Sequence, residues 1–191
     1  MEFNNHRNLQ GCHAIFSASQ YSWLRYTDEQ AIEVYTNRKA SELGTRIHAW
    51  AAEAISLGMK QPKSSKTICA YINDAIGYKM TPEVVLFYSE RFFGTADTIS
   101  FRREPKHDNT VLRIHDLKTG KTPAKMDQLM IYAALFCLEY RVKPGEIDIE
   151  LAIYQNDEVL THNPQADEIL PIMDHIQHLD KLFQQYDNKG V

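Results

Sequence analysis

The sequence predicts a mixed α/β fold, a central β-sheet flanked by helices with a helical segment at the N-terminal side. Three observations carry this. Helical periodicity with start and stop signals fills the first eighty residues. Three β-branched and aromatic runs then follow in close succession, at residues 84–88, 92–101 and 111–117. After them come an apolar helix, an alternating strand and an amphipathic helix. Helices, a meander, a helix, strands and a helix make a sheet with helical cover.

Each element has a local reason. Ser17-x-x-Gln20 has the capping-box pattern ahead of Tyr21, Trp23 and Leu24, and Thr27-x-x-Gln30 repeats it ahead of a helix over 31–38. A longer helix is expected over 40–57, ended by Gly58. Another is expected over 67–79 with Ser64 or Ser65 as cap, and Met80-Thr81-Pro82 breaks the pattern. Gly94 inside the second strand suggests a bulge or a close backbone approach. Residues 104–110 are polar and contain Pro105, so they read as the turn between the second and third strands. Thr122 as cap and Pro123 as first residue start a buried helix that runs to about Tyr140. Residues 147–154 alternate as a strand, 158–161 pair with it, and a last helix begins at Pro164 or later and ends near Tyr186.

Composition bounds the function. A length of 191 residues fits one domain. With 43% hydrophobic and 24% charged residues the chain is of globular composition. No apolar stretch approaches the ~18 residues of a membrane span, and the polar N-terminus has no signal-peptide core. A cytoplasmic protein without membrane contact is therefore expected. Cys12, Cys69 and Cys137 form no paired spacing for disulfides or a thiolate metal cluster. The net charge of −4 does not by itself point to nucleic acid.

The chemistry concentrates in Gly94-Thr95-Ala96-Asp97 and Asp116-Leu117-Lys118-Thr119-Gly120. A hairpin between the second and third strands would set Asp97 beside Asp116. Two close carboxylates repel, and a hard divalent cation relieves the repulsion. Asp116 and Lys118, two apart on a strand, share a face. A lysine beside a carboxylate-held cation suits water attack on a phosphodiester, where negative charge builds up.

This pattern resembles the PD-(D/E)XK nuclease superfamily, in its RecB-like branch. Gly94–Asp97 matches the Gly-x-x-Asp strand, Asp116–Gly120 the Asp-x-Lys-Thr-Gly strand, and Gln128 with Tyr132 the Gln-x-x-x-Tyr helix. Gly44-Thr45-Arg46-Ile47-His48 matches the upstream helical histidine. The resemblance spans about residues 17–154. It implies a single restriction-endonuclease-like domain over 1–191, with a helical part at about 15–80 and the catalytic sheet and helices at about 83–187. It implies Mg²⁺ or Mn²⁺ held by Asp97, Asp116 and the Leu117 carbonyl. His48 would add an imidazole that favours Mn²⁺. Lys118 would be the catalytic lysine, with Gln128 and Tyr132 bordering the site. Glu90 and Glu53 are further carboxylates without an assigned role. Relatives often carry an iron–sulfur cluster on four cysteines; no cysteine follows Cys137, so no such cluster is expected.

Taken singly, each piece has a plainer reading. Asp97 could be a turn aspartate, Asp116 with Lys118 a solvated strand face, His48 a hydrogen-bonded helix residue, and Gln128 with Tyr132 a polar helix edge. Their joint order outweighs these readings. Gly120-Lys121-Thr122 lacks the glycine that a phosphate loop needs at position 115, which is His115. His175 and His178 read as solvated surface, and Trp23 and Trp50 as core or a packing interface.

DNA, as a polyanion, needs cations to meet it. Lys121 and Lys125 follow Lys118, while Arg102, Arg103 and Lys106 lie at the turn between the two Asp strands. A basic rim around an acidic metal pocket is expected, helped by a homo-oligomer or a recombination partner. The reading is a metal-dependent DNA nuclease, foremost an exonuclease of phage or prokaryotic DNA processing and recombination. The alternative is a catalytically silent nuclease-fold module that binds DNA or a protein. A hydrolase of another phosphoester has no specific support.

Overall fold

The computed structural model describes residues 5–9, 11–104, 109–120 and 122–188. The chain divides into two compact units, Met1–Thr45 and Arg46–Val191. Helix α1 spans Asp28–Ser56 and so supplies residues to both.

In the first unit, short 3-10 turns at Arg7–Leu9 and Ala18–Arg25 precede α1. The two capping boxes expected there have different fates. At Thr27 the box forms: the Thr27 N–H donates to Gln30 Oε1 at 3.0 Å, and the Gln30 N–H to Thr27 Oγ1 at 3.3 Å. At Ser17 it does not, because Ser17 Oγ pairs with Ser19 Oγ at 2.7 Å and the backbone kinks at Gln20. Trp23 is half-buried, donating from Nε1 to the Ser17 carbonyl at 2.8 Å. The helices expected over 31–38 and 40–57 are one, since nothing near Lys39 breaks the pattern.

In the second unit α1 ends as expected at Gly58, whose φ of +67° closes the last turn while Met59 N–H reaches back to the Ala54 carbonyl at 2.8 Å. Helix α2, Thr67–Gly77, starts without a serine cap; the Thr67 N–H donates to Asp157 Oδ1, ninety residues away, at 3.3 Å. Five strands form one mixed sheet in chain order: β1 Thr81–Ser89, β2 Phe92–Arg103, β3 Thr110–Leu117, β4 Ile147–Gln155 and β5 Glu158–His162. All neighbours are antiparallel except β3 and β4, which run parallel around the crossover helix α3, Asp127–Tyr140. Helix α4, Ala166–Asp187, packs on α3. β1 begins at Thr81, through the segment the sequence marks as a break. Pro82 is tolerated because β1 is an edge strand.

The sheet carries a core on each face. On one side Leu86, Ala96, Ile99, Leu112 and Ile114 meet Leu129, Ala133 and Phe136 of α3 and Ile169 and Ile176 of α4. On the other, Leu117, Ala152 and Tyr154 meet Tyr71, Ile72 and Ala75 of α2 and Ala51, Ala54 and Ile55 of α1. Trp50, expected in a core or interface, is 46% exposed.

Helix α3 starts later than Pro123 predicts. Residues 122–126 are a loop held by one side chain at the end of β4. Gln155 Nε2 donates to the Gly120 carbonyl at 2.6 Å and the Thr122 carbonyl at 2.8 Å, and Gln155 Oε1 accepts the Ala124 N–H at 2.9 Å. These bonds satisfy the backbone where a first helical turn would otherwise form.

Candidate functional site

The site lies where β3 ends. The last β2–β3 pair is Thr98 with His115, so Asp97 stands one step beyond, beside Asp116. On its other flank, the β1–β2 register passes from Pro82–Thr98 to Val84–Ala96, which sets Glu83 opposite Asp97. Both strands are irregular there. Glu83 has φ +53° in an edge strand. Ala96 and Ile99, three apart, both face the α3 core, so strict alternation fails across Asp97 and Thr98. A left-handed non-glycine residue costs energy, and such strain collects at functional positions.

Asp97 is held from two sides. The Leu117 N–H donates to its Oδ2 at 2.9 Å, and His48 Nδ1 lies 3.2 Å from the same oxygen. His48, in the α1 segment belonging to this unit, thus lies beside Asp97, which the resemblance names with it as a metal ligand. His48, Glu83 and Asp97 each offer a ligand atom, and these lie within 4.8 Å of one another. Asp97 raises the His48 imidazole above its ordinary value, mainly by hydrogen bonding, with Asp116 and Glu83 adding to the effect. Burial, then the Asp97 charge, raises Glu83.

Asp116 is 2% exposed. Burial, and then Asp97, push its carboxyl up, and Lys118 pulls against that shift. The Lys118 ammonium lies 3.2 Å from Oδ1 and 3.0 Å from Oδ2, but only Oδ1 is approached along a hydrogen-bond direction. Oδ2 is fully buried and accepts no hydrogen bond among the described residues. A buried carboxylate oxygen in that condition calls for a partner.

Lys118 is positioned at both ends. Its backbone N–H extends the β3–β4 ladder to the Tyr154 carbonyl at 2.9 Å. Its ammonium donates to Gln128 Oε1 at 2.8 Å, and Gln128 Nε2 donates to the Tyr132 hydroxyl at 3.1 Å. Gln128 and Tyr132 are one turn apart on α3 and so share a face. Gly94 explains itself here: a Cβ at that position would lie 2.8 Å from Tyr132 Cε1, so the tyrosine ring occupies the space a side chain would need.

The structure therefore brings together His48, Asp97, Asp116, Leu117, Lys118, Gln128 and Tyr132. It adds Glu83, exposed like Glu53 and Glu90, which the sequence reading did not single out. The signal was its place fourteen residues before Asp97 in a short hairpin, hidden by the preceding proline. Arg102 and Arg103 are not brought to the site. They pair with Val111 and Thr110 at the opposite end of the hairpin, about 17 Å along the strand from Asp97. The turn expected over 104–110 falls largely on residues 105–108, outside the described residues; the strand ends that flank it are remote from the carboxylates, because Asp97 is early in β2 and Asp116 late in β3. Lys125 is exposed in the loop before α3. Lys121 and Lys106 lie outside the described residues. His175 and His178 are both exposed on α4, and His115 is buried against Tyr154 and Tyr78. No described helix is long and apolar enough to cross a membrane. Comparison of the chain with family models, with curated proteins and with solved structures finds no match.

Proposed function

We propose that this chain is a metal-dependent deoxyribonuclease of the RecB-like branch of the PD-(D/E)XK superfamily, acting as an exonuclease in phage or prokaryotic DNA processing. The observation that supports it most is the pairing of Lys118 with the buried, under-bonded Asp116 beside Asp97, Glu83 and His48.

The donor set suits a divalent cation. His48, Glu83 and Asp97 gather their ligand atoms into a mixed oxygen–nitrogen set, and Asp116, whose Oδ2 accepts no hydrogen bond among the described residues, lies beside Asp97. Asp97, Asp116, the Leu117 carbonyl, His48 and Glu83 would hold Mg²⁺ or Mn²⁺, the imidazole favouring Mn²⁺. The ion, when bound, polarises a phosphate oxygen and lowers the pKa of water. The protein does the rest. An ammonium has three N–H donors; Asp116 and Gln128 take two of them, which leaves the third for a phosphate oxygen. As the water oxygen bonds to phosphorus and the ester P–O bond breaks, the extra negative charge meets a donor already in place. Tyr132 fixes the Gln128 amide so that its carbonyl faces Lys118.

Incubation of end-labelled linear and circular DNA, single- and double-stranded, with Mg²⁺, Mn²⁺ or EDTA tests this. Metal-dependent loss of linear DNA alone, abolished by Asp116→Ala, is the expected result. Cutting of circles would make the enzyme an endonuclease. No cleavage by folded protein in either metal would leave a DNA- or protein-binding module.

A further inference from the structure

Beside the site, one face of the β1–β2 hairpin is uncovered. Val84, Leu86 and Tyr88 of β1 and Phe92 and Ala96 of β2 point to the α3 core. Alternation therefore places Val85, Phe87, Phe93 and Thr95 on the other face. α2 packs against β3 and β4 on that side, and Val85, Phe87 and Phe93 remain 52%, 45% and 61% exposed. The register arranges this face in cross-strand pairs, Phe87 with Phe93 and Val85 with Thr95, and the next step along both strands is Glu83 with Asp97. The two rings lie 6.4 Å apart. An aromatic pair thus stands two steps, about 13 Å, from the carboxylates along one continuous face.

We propose that this face receives the unstacked bases of single-stranded DNA, Phe87 and Phe93 serving as the stacking platform that leads a strand to the site. The proposal rests on the nuclease reading and names the substrate form. Aromatic side chains bind single strands by stacking on bases, whereas a duplex keeps its bases stacked on one another. Thr95, the remaining polar residue between rings and site, carries no charge to repel a backbone. A second copy of the chain fits this face less well. Three side chains expose far less than the ~800 Å² per partner of a stable interface. The neighbouring strand edge is also guarded: the Phe87 N–H is taken by Glu139 Oε2 at 2.8 Å.

The test is fluorescence anisotropy of labelled oligothymidylate and of a duplex of equal length, in EDTA so that no hydrolysis occurs. Wild type is compared with Phe87→Ala, Phe93→Ala, Phe93→Trp and, on the far edge strand, Leu160→Ala. Loss of either ring should weaken single-strand binding about tenfold. The tryptophan variant and the Leu160 variant should bind as wild type, and duplex binding should not change. Cleavage of linear single strands in Mn²⁺ is read in parallel. Unchanged single-strand affinity in both alanine variants, with cleavage intact, would overturn the platform and leave the nuclease standing. An equal loss for duplex, or a wild-type dimer in sedimentation that Phe93→Ala dissociates, would overturn it too. Ring-dependent single-strand binding without any cleavage would uphold the platform and remove the nuclease.

Discussion

Strand β3 buries two charged side chains three residues apart, and they are treated in opposite ways. Arg113, 3% exposed, is clothed: Nη1 pairs with Glu104, Nε with Glu150, and the guanidinium lies 4.2 Å over the Tyr78 ring. Asp116, 2% exposed, has the Lys118 ammonium 3.2 and 3.0 Å from its two oxygens but a hydrogen bond only at Oδ1, with Asp97 close by. Arg113 has what a buried ion needs in the folded chain. Asp116 does not, and burial of an under-paired charge is a cost that folding alone gives no reason to keep. On the proposed reading, the contrast is that between a structural ion and a functional one.

The largest expected effect lies at the structural end. Arg113→Ala takes a buried guanidinium from between Glu104, Glu150 and the Tyr78 ring and should cost about 3 kcal/mol. Chemical denaturation, read as a lower midpoint at unchanged slope, checks it. Asp116→Asn should do the reverse, holding or raising the stability of EDTA-treated protein while abolishing cleavage. If it destabilised as Arg113→Ala does, the contrast would collapse. On the proposed reading, Lys118→Met should lower the cleavage rate ~10²–10³-fold, and by taking away the ammonium beside Asp116 it should push that buried carboxyl further up.

The pH dependence sharpens the same contrast. His48, Glu83 and Asp116 all hold their protons more tightly in the folded chain than their ordinary values predict. For His48 the stability is fully present below its ordinary value of about 6.5 and is lost as the pH rises through the raised one. For the two carboxyls, a penalty absent below about pH 4 grows as the pH climbs through their raised values. All three signs agree, and His48 sets the window above its ordinary value, so in EDTA the melting temperature should rise as the pH is lowered from 8 to 6. Mn²⁺ should reverse the trend, since it competes with those protons. At a hundred times its Kd it adds about 2.7 kcal/mol, read as an upward shift of several degrees at pH 8. Equal melting curves with and without metal would remove the ion from the account.

Much of this was legible in the sequence, and for local reasons. Asp97 and Asp116 had to meet because a polar turn joins their strands, and hairpin register then does the rest. Gln128 and Tyr132 share a face by helix geometry alone. What escaped was set by distant contacts. Glu83 was hidden because Thr-Pro reads as a strand breaker, while an edge strand accepts proline. The loop 122–126 reads as a helix start, but Gln155 takes its backbone bonds. The arginines of the hairpin turn are near Asp97 in sequence and far from it in space, because a turn at one end of a hairpin is remote from residues at the other. Gly94→Ala tests the part that was half legible. The sequence marks a close approach, and the structure names Tyr132 as the neighbour. An added methyl should displace the ring, cost about 1–3 kcal/mol and, by freeing the Gln128 amide, slow cleavage ~10-fold or more.

The smallest effect discriminates between the two ends of the hairpin for DNA itself. Lys125 lies exposed in the loop before α3, and on the proposed reading it would meet a phosphate beside the scissile one. Arg102 is at the far end, where its Nη1 donates to the Tyr78 carbonyl at 3.2 Å. Each phosphate contact releases counterions and steepens the dependence of affinity on salt. Lys125→Ala should therefore reduce the slope of log affinity against log salt by about 1, leaving the rate at saturating DNA near that of wild type. Arg102→Ala should leave the slope unchanged. The reverse result would move the DNA path to the hairpin turn, away from the carboxylates, and would separate whatever binds DNA in this protein from the end of β3 where an ion is wanted.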